Sequence, residues 1–310
     1  MADLGKTPAP HNCRACEEEE ISSGTLLCRK CTAQYSITGE IPILLPSLQS
    51  YDATTQESFS LEWSLYRSKD GTWGITLENR IQWYVLDGLG INPKDLRGKV
   101  FLDAGCGNGS SCVGVARLGA TVIGIDLGTG IWRWKEHLQK GDKYIDIHFA
   151  QADILHPPIA DRSCDFIFSA GVLHHLPDTK AGFSALVPKI KSGGKYYVWL
   201  YRHEPFVTPL LEGIRVITTR IPPRIFYWIS LAAAPFFMGL RVILNATGLR
   251  EYGPTSWKAA ALALIDIFAS PYAHPHSPTE VKGWFEEKGF VDFGVVEIKR
   301  RGFGARAKMA

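Results

Sequence analysis

Apolar residues in the middle of this chain fall into short runs separated by a glycine-rich turn and a helix-like segment. Residues 100–102 form an apolar run without helical periodicity, and a helix is predicted from near Ser110 to Gly119. A second apolar run, residues 121–125, is followed directly by Asp126. Short buried strands that alternate with helices are typical of an α/β domain built on a parallel sheet.

Two further helical patterns lie on either side of this α/β region. Phe59, Trp63 and Tyr66 recur at spacings of four and three, which places them on one face of a helix that packs on the core. Residues 225–244 are nearly all apolar and approach the length of a bilayer span, although Pro235 is expected to kink or end a helix there. We expect a buried or dimer-forming helical pair in this stretch.

The end of the sequence predicts one more helix and a hairpin. Ser277, Pro278 and Glu280 spell a capping box with proline at the first helical position, and Gly289 is expected to end the helix. Residues 292–310 alternate between apolar and polar side chains, as expected for a closing antiparallel hairpin.

Composition is that of an ordinary globular protein and narrows the choice of partners. The chain has 310 residues, of which 45% are hydrophobic and 21% charged, and its net charge is +3. So small a net charge argues against nucleic acid or anionic membrane being bound through bulk charge. The start of the chain lacks the basic and apolar regions of a secretory signal, and an odd number of cysteines without such a signal indicates a reducing cytoplasm.

Four cysteines form two C-x-x-C pairs near the start of the chain. Each pair makes a tight turn that aims two sulfurs at one point, and a hairpin would bring the two pairs together around a tetrahedral zinc ion. Four thiolates leave no position for water or substrate, so we expect the zinc to be structural; redox-active thiols are the alternative. The predicted zinc ligands are Cys13, Cys16, Cys28 and Cys31.

The glycine-rich turn predicts a nucleotide pocket. Gly105, Gly107 and Gly109 let the backbone approach a ligand closely, and the helix that follows offers free N–H groups to an anion. Asp126, about twenty residues further along, can accept hydrogen bonds from both ribose hydroxyls. A dinucleotide site is the alternative, but the spacing is G-x-G-x-G and not the G-x-G-x-x-G of NAD enzymes.

Residues 95–201 and the last thirty residues resemble Rossmann-like (class I) methyltransferases that use S-adenosylmethionine (SAM), particularly the ubiquinone/menaquinone-type, type 11-like enzymes. Four motifs carry the resemblance, and they follow one another along the chain in the order that the family has. They are the acid before the glycine turn, "FAQADILHPP", "DRSCDFIFSAGVLHHLPD" and "LVPKIKSGGKYYVWLY". It implies a seven-stranded α/β sheet with helices on both faces and SAM as methyl donor. The implied SAM-binding residues are Asp103, Gly105, Gly107, Gly109, Asp126, Leu127, Asp153, Ile154 and Ser169.

The loop after the predicted fourth strand carries His174 and His175. An unperturbed imidazole, with a pKa of about 6.5, suits proton removal at neutral pH. We predict His174 as the base, because several relatives use the first histidine, and His175 as the residue that orients the loop. The alternative is that both only shape the loop or contact SAM. Some relatives place an assisting acid at the end of the fifth strand, and "VWLY" has none here.

Residues 11–46 resemble the zinc-ribbon activators of tRNA methyltransferases, which gives the chain a multi-part organisation. We expect a zinc ribbon (1–48), a helical linker or lid (49–94), the SAM-binding core (95–201), a helical insert that caps the acceptor pocket (202–276), and the last helix with the closing hairpin (277–310).

The leading hypothesis is a cytoplasmic SAM-dependent methyltransferase that acts on a small-molecule or lipid-like acceptor, with O-, N- and C-methylation all open. An RNA base methyltransferase that grips RNA with its ribbon is the alternative, although the glutamates at 17–20 would repel phosphate. A non-enzymatic scaffold is a third class. Residues 225–244 could instead form an apolar lid or a peripheral membrane contact, and the sequence does not predict an oligomeric state.

Overall fold

The structure is a computed structural model. It describes residues 19–22, 24–28, 32–45, 53–66, 75–142, 145–246, 256–297 and 301–310. Its strands are β1 (Glu19–Ser22), β2 (Thr25–Cys28), β3 (Gln34–Thr38), β4 (Ile41–Leu44), β5 (Val100–Ala104), β6 (Thr121–Asp126), β7 (Ile147–Ala152), β8 (Cys164–Ala170), β9 (Ile190–Tyr201), β10 (Phe290–Val296) and β11 (Gly302–Met309).

The helices lie between and after these strands. They are α1 (Ala53–Leu65), α2 (Leu77–Arg80), α3 (Asp87–Leu89), α4 (Ser110–Ala116), α5 (Thr179–Leu186), α6 (Val207–Thr218), α7 (Pro223–Ala246), α8 (Trp257–Phe268) and α9 (Pro278–Glu287). A π-helical segment, Ile81–Leu86, joins α2 to α3, and short 3-10 helices span Pro93–Leu96, Thr129–His137, Leu173–His175 and Val187–Lys189.

One mixed sheet runs through the described residues in the order β1-β2-β3-β4-β7-β6-β5-β8-β9-β11-β10. Its centre is parallel from β7 to β9, and β11 and β10 close one edge in antiparallel pairing. The predicted α/β fold is confirmed. Side chains of a strand alternate between faces, so Tyr196 and Val198 of β9 join one buried cluster while Tyr197 and Trp199 join the other.

The prediction of seven strands is wrong for the sheet as a whole, which has eleven strands among the residues described. The difference arises at β4, where Ile43 and Leu44 pair in parallel with Gln151 and Ala152 of β7. Four N-terminal strands therefore extend the sheet at that edge. Strands β1 and β2 form the hairpin predicted between the two cysteine pairs, and at its turn Ser22 pairs with Thr25 and Gly24 has a φ of 74°.

Helices α6, α7 and α8 form the insert between β9 and α9. Helix α7 does not end at Pro235, which lies inside it, and it packs on α8 through Ala234, Ala260 and Ala261. These small side chains bring the helices close together, and that packing offsets the hydrogen bond that a proline removes. Helix α9 has the predicted capping box, with Ser277 Oγ accepting from the Glu280 N–H at 3.1 Å.

Candidate active site

A cleft of about 900 Å³ opens at the carboxyl ends of the central parallel strands. Its walls come from α1, α2, the glycine turn after β5, the ends of β6, β7 and β8, and α8. The residues that line it are Thr55, Gln56, Phe59, Glu62, Trp63, Arg80, Asp103, Gly105, Cys106, Ser110, Ser111, Asp126, Leu127, Gly128, Asp153, Ile154, Phe168, Ala170, Gly171, Val172, His175, Leu176 and Asp266.

Helix α1 lies directly on the glycine turn. A Cβ atom at Gly107, whose φ is 59°, would come within 2.4 Å of the Trp63 indole, so only glycine fits there. Arg133 holds the end of α1 by donating to the Trp63 carbonyl at 2.7 Å. Gln56 of the same helix donates to the Leu127 carbonyl at 3.0 Å. These contacts make α1 one wall of the cleft.

Asp126 is the last residue of β6, and its carboxyl group is hydrogen-bonded to the glycine turn that follows β5. Its Oδ2 accepts from the Gly107 N–H at 2.8 Å, and its Oδ1 accepts from the Gly128 N–H at 2.7 Å. Burial raises the pKa of this carboxyl, and the two backbone N–H groups partly oppose that shift. Each carboxylate oxygen keeps a further lone pair with which it can accept from a ligand hydroxyl.

Asp153 and Asp103 lie at two other strand ends around the cleft. Asp153 Oδ1 accepts from the Leu155 N–H at 2.9 Å, and its Oδ2 lies 3.0 Å from His156 Nδ1. Cys112 Sγ donates to Asp103 Oδ2 at 3.3 Å. Burial raises the pKa of Asp103 to about 7, while the nearby positive charge of Arg80 lowers it.

Six of the nine predicted SAM-binding residues line the cleft: Asp103, Gly105, Asp126, Leu127, Asp153 and Ile154. The other three do not line it. Gly107 lies beneath Trp63, and Gly109 caps the start of α4. Ser169 is fully buried and donates to the Ala104 carbonyl at 2.8 Å, which ties β8 to β5.

The two histidines occupy different positions from those expected. His174, the predicted base, is fully buried, does not line the cleft and has no side-chain hydrogen bond among the described residues. Burial lowers its pKa well below the usual range. His175 lines the cleft, with Nδ1 lying 2.8 Å from the Tyr272 carbonyl. A 3-10 helix turns consecutive side chains in different directions, so the second histidine faces the cleft.

Sequence reasoning missed three charged residues of the cleft, namely Arg80, Glu62 and Asp266. Glu62 occupies the Phe59–Trp63 face of α1, so the helical spacing could have placed it there. Nothing in the sequence singles out Asp266 within the apolar helix α8. Asp266 of the insert places a carboxyl group beside Tyr201, the last residue of "VWLY".

The predicted zinc site lies mostly beyond the described residues, since Cys13, Cys16 and Cys31 are outside them. Cys28 ends β2 and is buried. Within the described ranges, no group of three or more histidine, cysteine or acidic side chains could hold a metal ion.

Residues 102–198 match the family model described as a methyltransferase domain. The chain is 37% identical over 107 residues to the ubiquinone biosynthesis O-methyltransferase of Brucella ovis, and 36% identical over 107 residues to that of Brucella anthropi. Each alignment covers 34% of this chain and 42% of the relative, so the chain spans about two fifths of the length of these curated relatives. The predicted resemblance to methyltransferases is confirmed for the core.

Solved structures are similar to the chain at lower identity. The magnesium protoporphyrin IX methyltransferase of Synechocystis with bound SAH has 17% identity and a TM-score of 0.44. The match covers 76% of this chain and 82% of that enzyme's chain. Phosphoethanolamine N-methyltransferase 2 of Haemonchus contortus with SAM has 18% identity and a TM-score of 0.49. The match covers 80% of this chain and 44% of that enzyme's chain.

Proposed function

We propose that this protein is a SAM-dependent methyltransferase that acts on a small-molecule or lipid-like acceptor. One observation carries the proposal: within the region that matches the methyltransferase domain, Asp103, Asp126 and Asp153 end three neighbouring strands around one cleft. SAM supplies a methyl group on a sulfonium, which is activated for transfer. The protein has to align the acceptor with that group and, for a hydroxyl acceptor, remove a proton.

The charges along the cleft suit the parts of SAM. The carboxylate of Asp126 can accept from the ribose hydroxyls, and Asp153 can accept from the adenine amino group. Arg80 lies close enough to Asp103 for its guanidinium to lower the Asp103 pKa. The carboxylate of Asp103 can therefore pair with the ammonium of the methionine part of SAM, and the guanidinium of Arg80 with its carboxylate.

SAM affinity should rise with pH because of Asp103. In the free protein its pKa is about 7, so the carboxyl is neutral below that pH and cannot pair with the SAM ammonium. We expect binding to strengthen as the pH rises from 6 to 8, by about tenfold for each pH unit below 7. Calorimetry at several pH values measures this, and Asp103→Asn should bind SAM weakly without that pH dependence. If SAM affinity depended on pH equally steeply in Asp103→Asn, a group other than Asp103 would be the cause.

The acceptor side of the cleft favours a small or lipid-like molecule over RNA. Its walls include Phe59, Val172 and Leu176, and in the whole cleft Arg80 is the one arginine or lysine among the described lining residues. An RNA groove needs basic residues with interleaved aromatic rings. SAM with a labelled methyl group, incubated with a lipid and small-molecule extract beside total RNA, separates the two functions. We expect label in the extract; label confined to RNA would support the alternative.

We further propose that the N-terminal cysteines bind one structural zinc ion. The support is the spacing of Cys13, Cys16, Cys28 and Cys31 and the hairpin that ends at Cys28. Metal analysis of protein prepared without chelator should find about one zinc per chain, and Cys28→Ser should lower both the zinc content and the melting temperature. Absence of zinc, or an unchanged melting temperature, would contradict the proposal.

The outer surface of the insert suits a membrane contact. Phe206, Trp228 and Phe236 are 92%, 68% and 80% exposed, and the basic side chains of Arg220 and Arg224, on either side of the start of α7, are also exposed. No helix within the described ranges is long and apolar enough to cross a membrane. We propose that this face rests on an anionic bilayer surface, where a lipid-like acceptor would be found.

Vesicle sedimentation tests this contact. Trp228→Ser combined with Phe236→Ser should weaken binding to vesicles that contain anionic lipid by about tenfold or more, because each ring contributes apolar area. Val291→Ser, an exposed apolar position on β10, is the matched control. Equal binding by both variants would exclude the face as the contact. A dimer that the double substitution dissociates would show that a second copy covers it.

A further inference from the structure

Three ionisable side chains meet in the cleft where α1 faces the insert. Glu62 comes from α1, His175 from the 3-10 helix after β8, and Asp266 from the insert helix α8, and all three line the cleft. Asp266 lies close enough to Glu62 for its charge to raise the pKa of Glu62. None of the SAM-binding contacts proposed above uses these residues.

The carboxyl group of Asp266 is held by Tyr201 and lies close to His175. Tyr201, at the end of β9, donates its hydroxyl to Asp266 Oδ2 at 2.6 Å. His175 Nε2 lies 3.4 Å from Asp266 Oδ1. Its Nδ1 faces the Tyr272 carbonyl, which can only accept, so Nδ1 carries a proton. Nε2 has no hydrogen-bond partner among the described residues, and it can donate to Asp266 and support that carboxylate only when both ring nitrogens carry protons.

The backbone that carries these contacts is itself anchored. Arg215 of α6 donates to the carbonyls of Ile267 and Ser270, both at 2.6 Å. Ser270 Oγ donates to the Tyr272 carbonyl at 2.8 Å and lies 3.1 Å from His175 Nδ1. The segment after α8 is therefore fixed against the His175 ring.

Glu62 differs from Asp266 in its surroundings. It is 1% exposed, and its Oε1 has no hydrogen-bond partner among the residues described. Burial and the neighbouring charge of Asp266 raise the pKa of Glu62 well above its usual range. A carboxyl group that keeps its proton can donate a hydrogen bond to a bound ligand.

We propose that Asp266 is the general base of an acceptor site for an uncharged hydroxyl compound, with His175 and Tyr201 as its positioning residues and Glu62 as a neutral hydrogen-bond donor to the bound acceptor. The inference rests on the proposed methyl transfer. The acceptor O–H bond breaks and its proton moves to an Asp266 carboxylate oxygen. The hydroxyl oxygen forms a bond to the methyl carbon, and the carbon–sulfur bond breaks with its electron pair remaining on sulfur.

The probe is 2-naphthol, an uncharged apolar hydroxyl compound, with 2-naphthylamine as its amine counterpart. Product is measured by mass spectrometry, and binding is measured by calorimetry in the presence of S-adenosylhomocysteine. We expect the naphthol to be methylated and the amine to react at least tenfold more slowly. Faster methylation of the amine would overturn the hydroxyl assignment. So would transfer to a cell extract without transfer to the naphthol.

Asp266→Asn keeps the shape of the side chain and removes its basicity. We expect kcat for 2-naphthol to fall by about a hundredfold or more, with the Kd for naphthol and for SAM unchanged within about threefold. Glu212→Gln, an exposed acid of α6, is the control. A kcat that stays within threefold of the wild-type value would overturn the role of Asp266. If Asp266→Asn does not fold, Tyr201→Phe should still lower kcat several-fold at constant Kd, and an unchanged kcat there would overturn the positioning.

The Glu62 contact has its own readout. Glu62→Leu should weaken naphthol binding about tenfold, whereas Glu62→Gln, which can still donate, should restore it. Glu57→Leu, an exposed acid on the same helix, is the matched control. Unchanged binding by Glu62→Leu would overturn this contact. If the wild-type protein neither binds SAM nor labels any extract, the proposed function itself fails, which is a different result from any of these.

Discussion

His175→Ala is expected to lower turnover by about a hundredfold or more while SAM affinity stays nearly constant. The ring faces the cleft, and its Nε2 lies 3.4 Å from Asp266 Oδ1, so its loss removes a neighbour of the carboxylate that we propose accepts the proton. It also removes the edge-on contact with Phe59, whose ring centroid is 5.0 Å away. Steady-state rates at saturating SAM and acceptor, together with calorimetry for SAM, measure the two effects separately.

His174→Leu is the comparison for this result. The His174 ring is fully buried against Tyr201, with ring centroids 4.0 Å apart, and its nitrogens have no hydrogen-bond partner among the described residues. Replacing an unsatisfied buried polar group by an apolar one of similar size costs little. We expect turnover to fall by less than about threefold. A roughly hundredfold loss of turnover in His174→Leu, together with normal turnover in His175→Ala, would show that His174 and not His175 is needed for catalysis.

Asp126→Ala is expected to weaken SAM binding by about 1.5–3 kcal/mol, roughly ten- to a hundredfold in Kd, the scale of lost hydrogen bonds to a charged group. The carboxylate would accept from the ribose hydroxyls, and it also fixes the turn through the N–H groups of Gly107 and Gly128. Both effects act on the donor site, so turnover at saturating SAM should change less than the Kd.

Asp146→Ala is the control for this measurement, because Asp146 is an exposed acid just before β7. Calorimetry should give it the wild-type affinity for SAM. An unchanged affinity in Asp126→Ala would remove Asp126 from the ribose site. Tight binding of NAD by the wild-type protein would overturn the assignment of the whole pocket.

The order of motifs along the chain predicted that Asp103 and Asp126 lie at the ends of neighbouring strands, where both line one cleft. Residues 100–126 form one local unit in which strand, glycine turn, helix and second strand follow each other directly, so sequence spacing fixes the positions of Asp103 and Asp126. The closing hairpin and the capping box of α9 were predictable for the same reason, since each depends on residues a few positions apart.

The acceptor half depends on contacts between residues far apart in the chain. Asp266 approaches His175 only because α8 packs against α1 and β9, and no sequence spacing encodes that approach. The choice between His174 and His175 depends on one turn of 3-10 helix. The extended sheet likewise results from long-range pairing, because β4 meets β7 about a hundred residues later.

The measurement that tests the account most directly is the release of S-adenosylhomocysteine from SAM in the presence of a lipid and small-molecule extract. We expect one S-adenosylhomocysteine for each methyl group that appears on a neutral extract component, and a strongly reduced rate in His175→Ala. Methyl groups found only on RNA, or SAM that neither binds nor reacts, would contradict it.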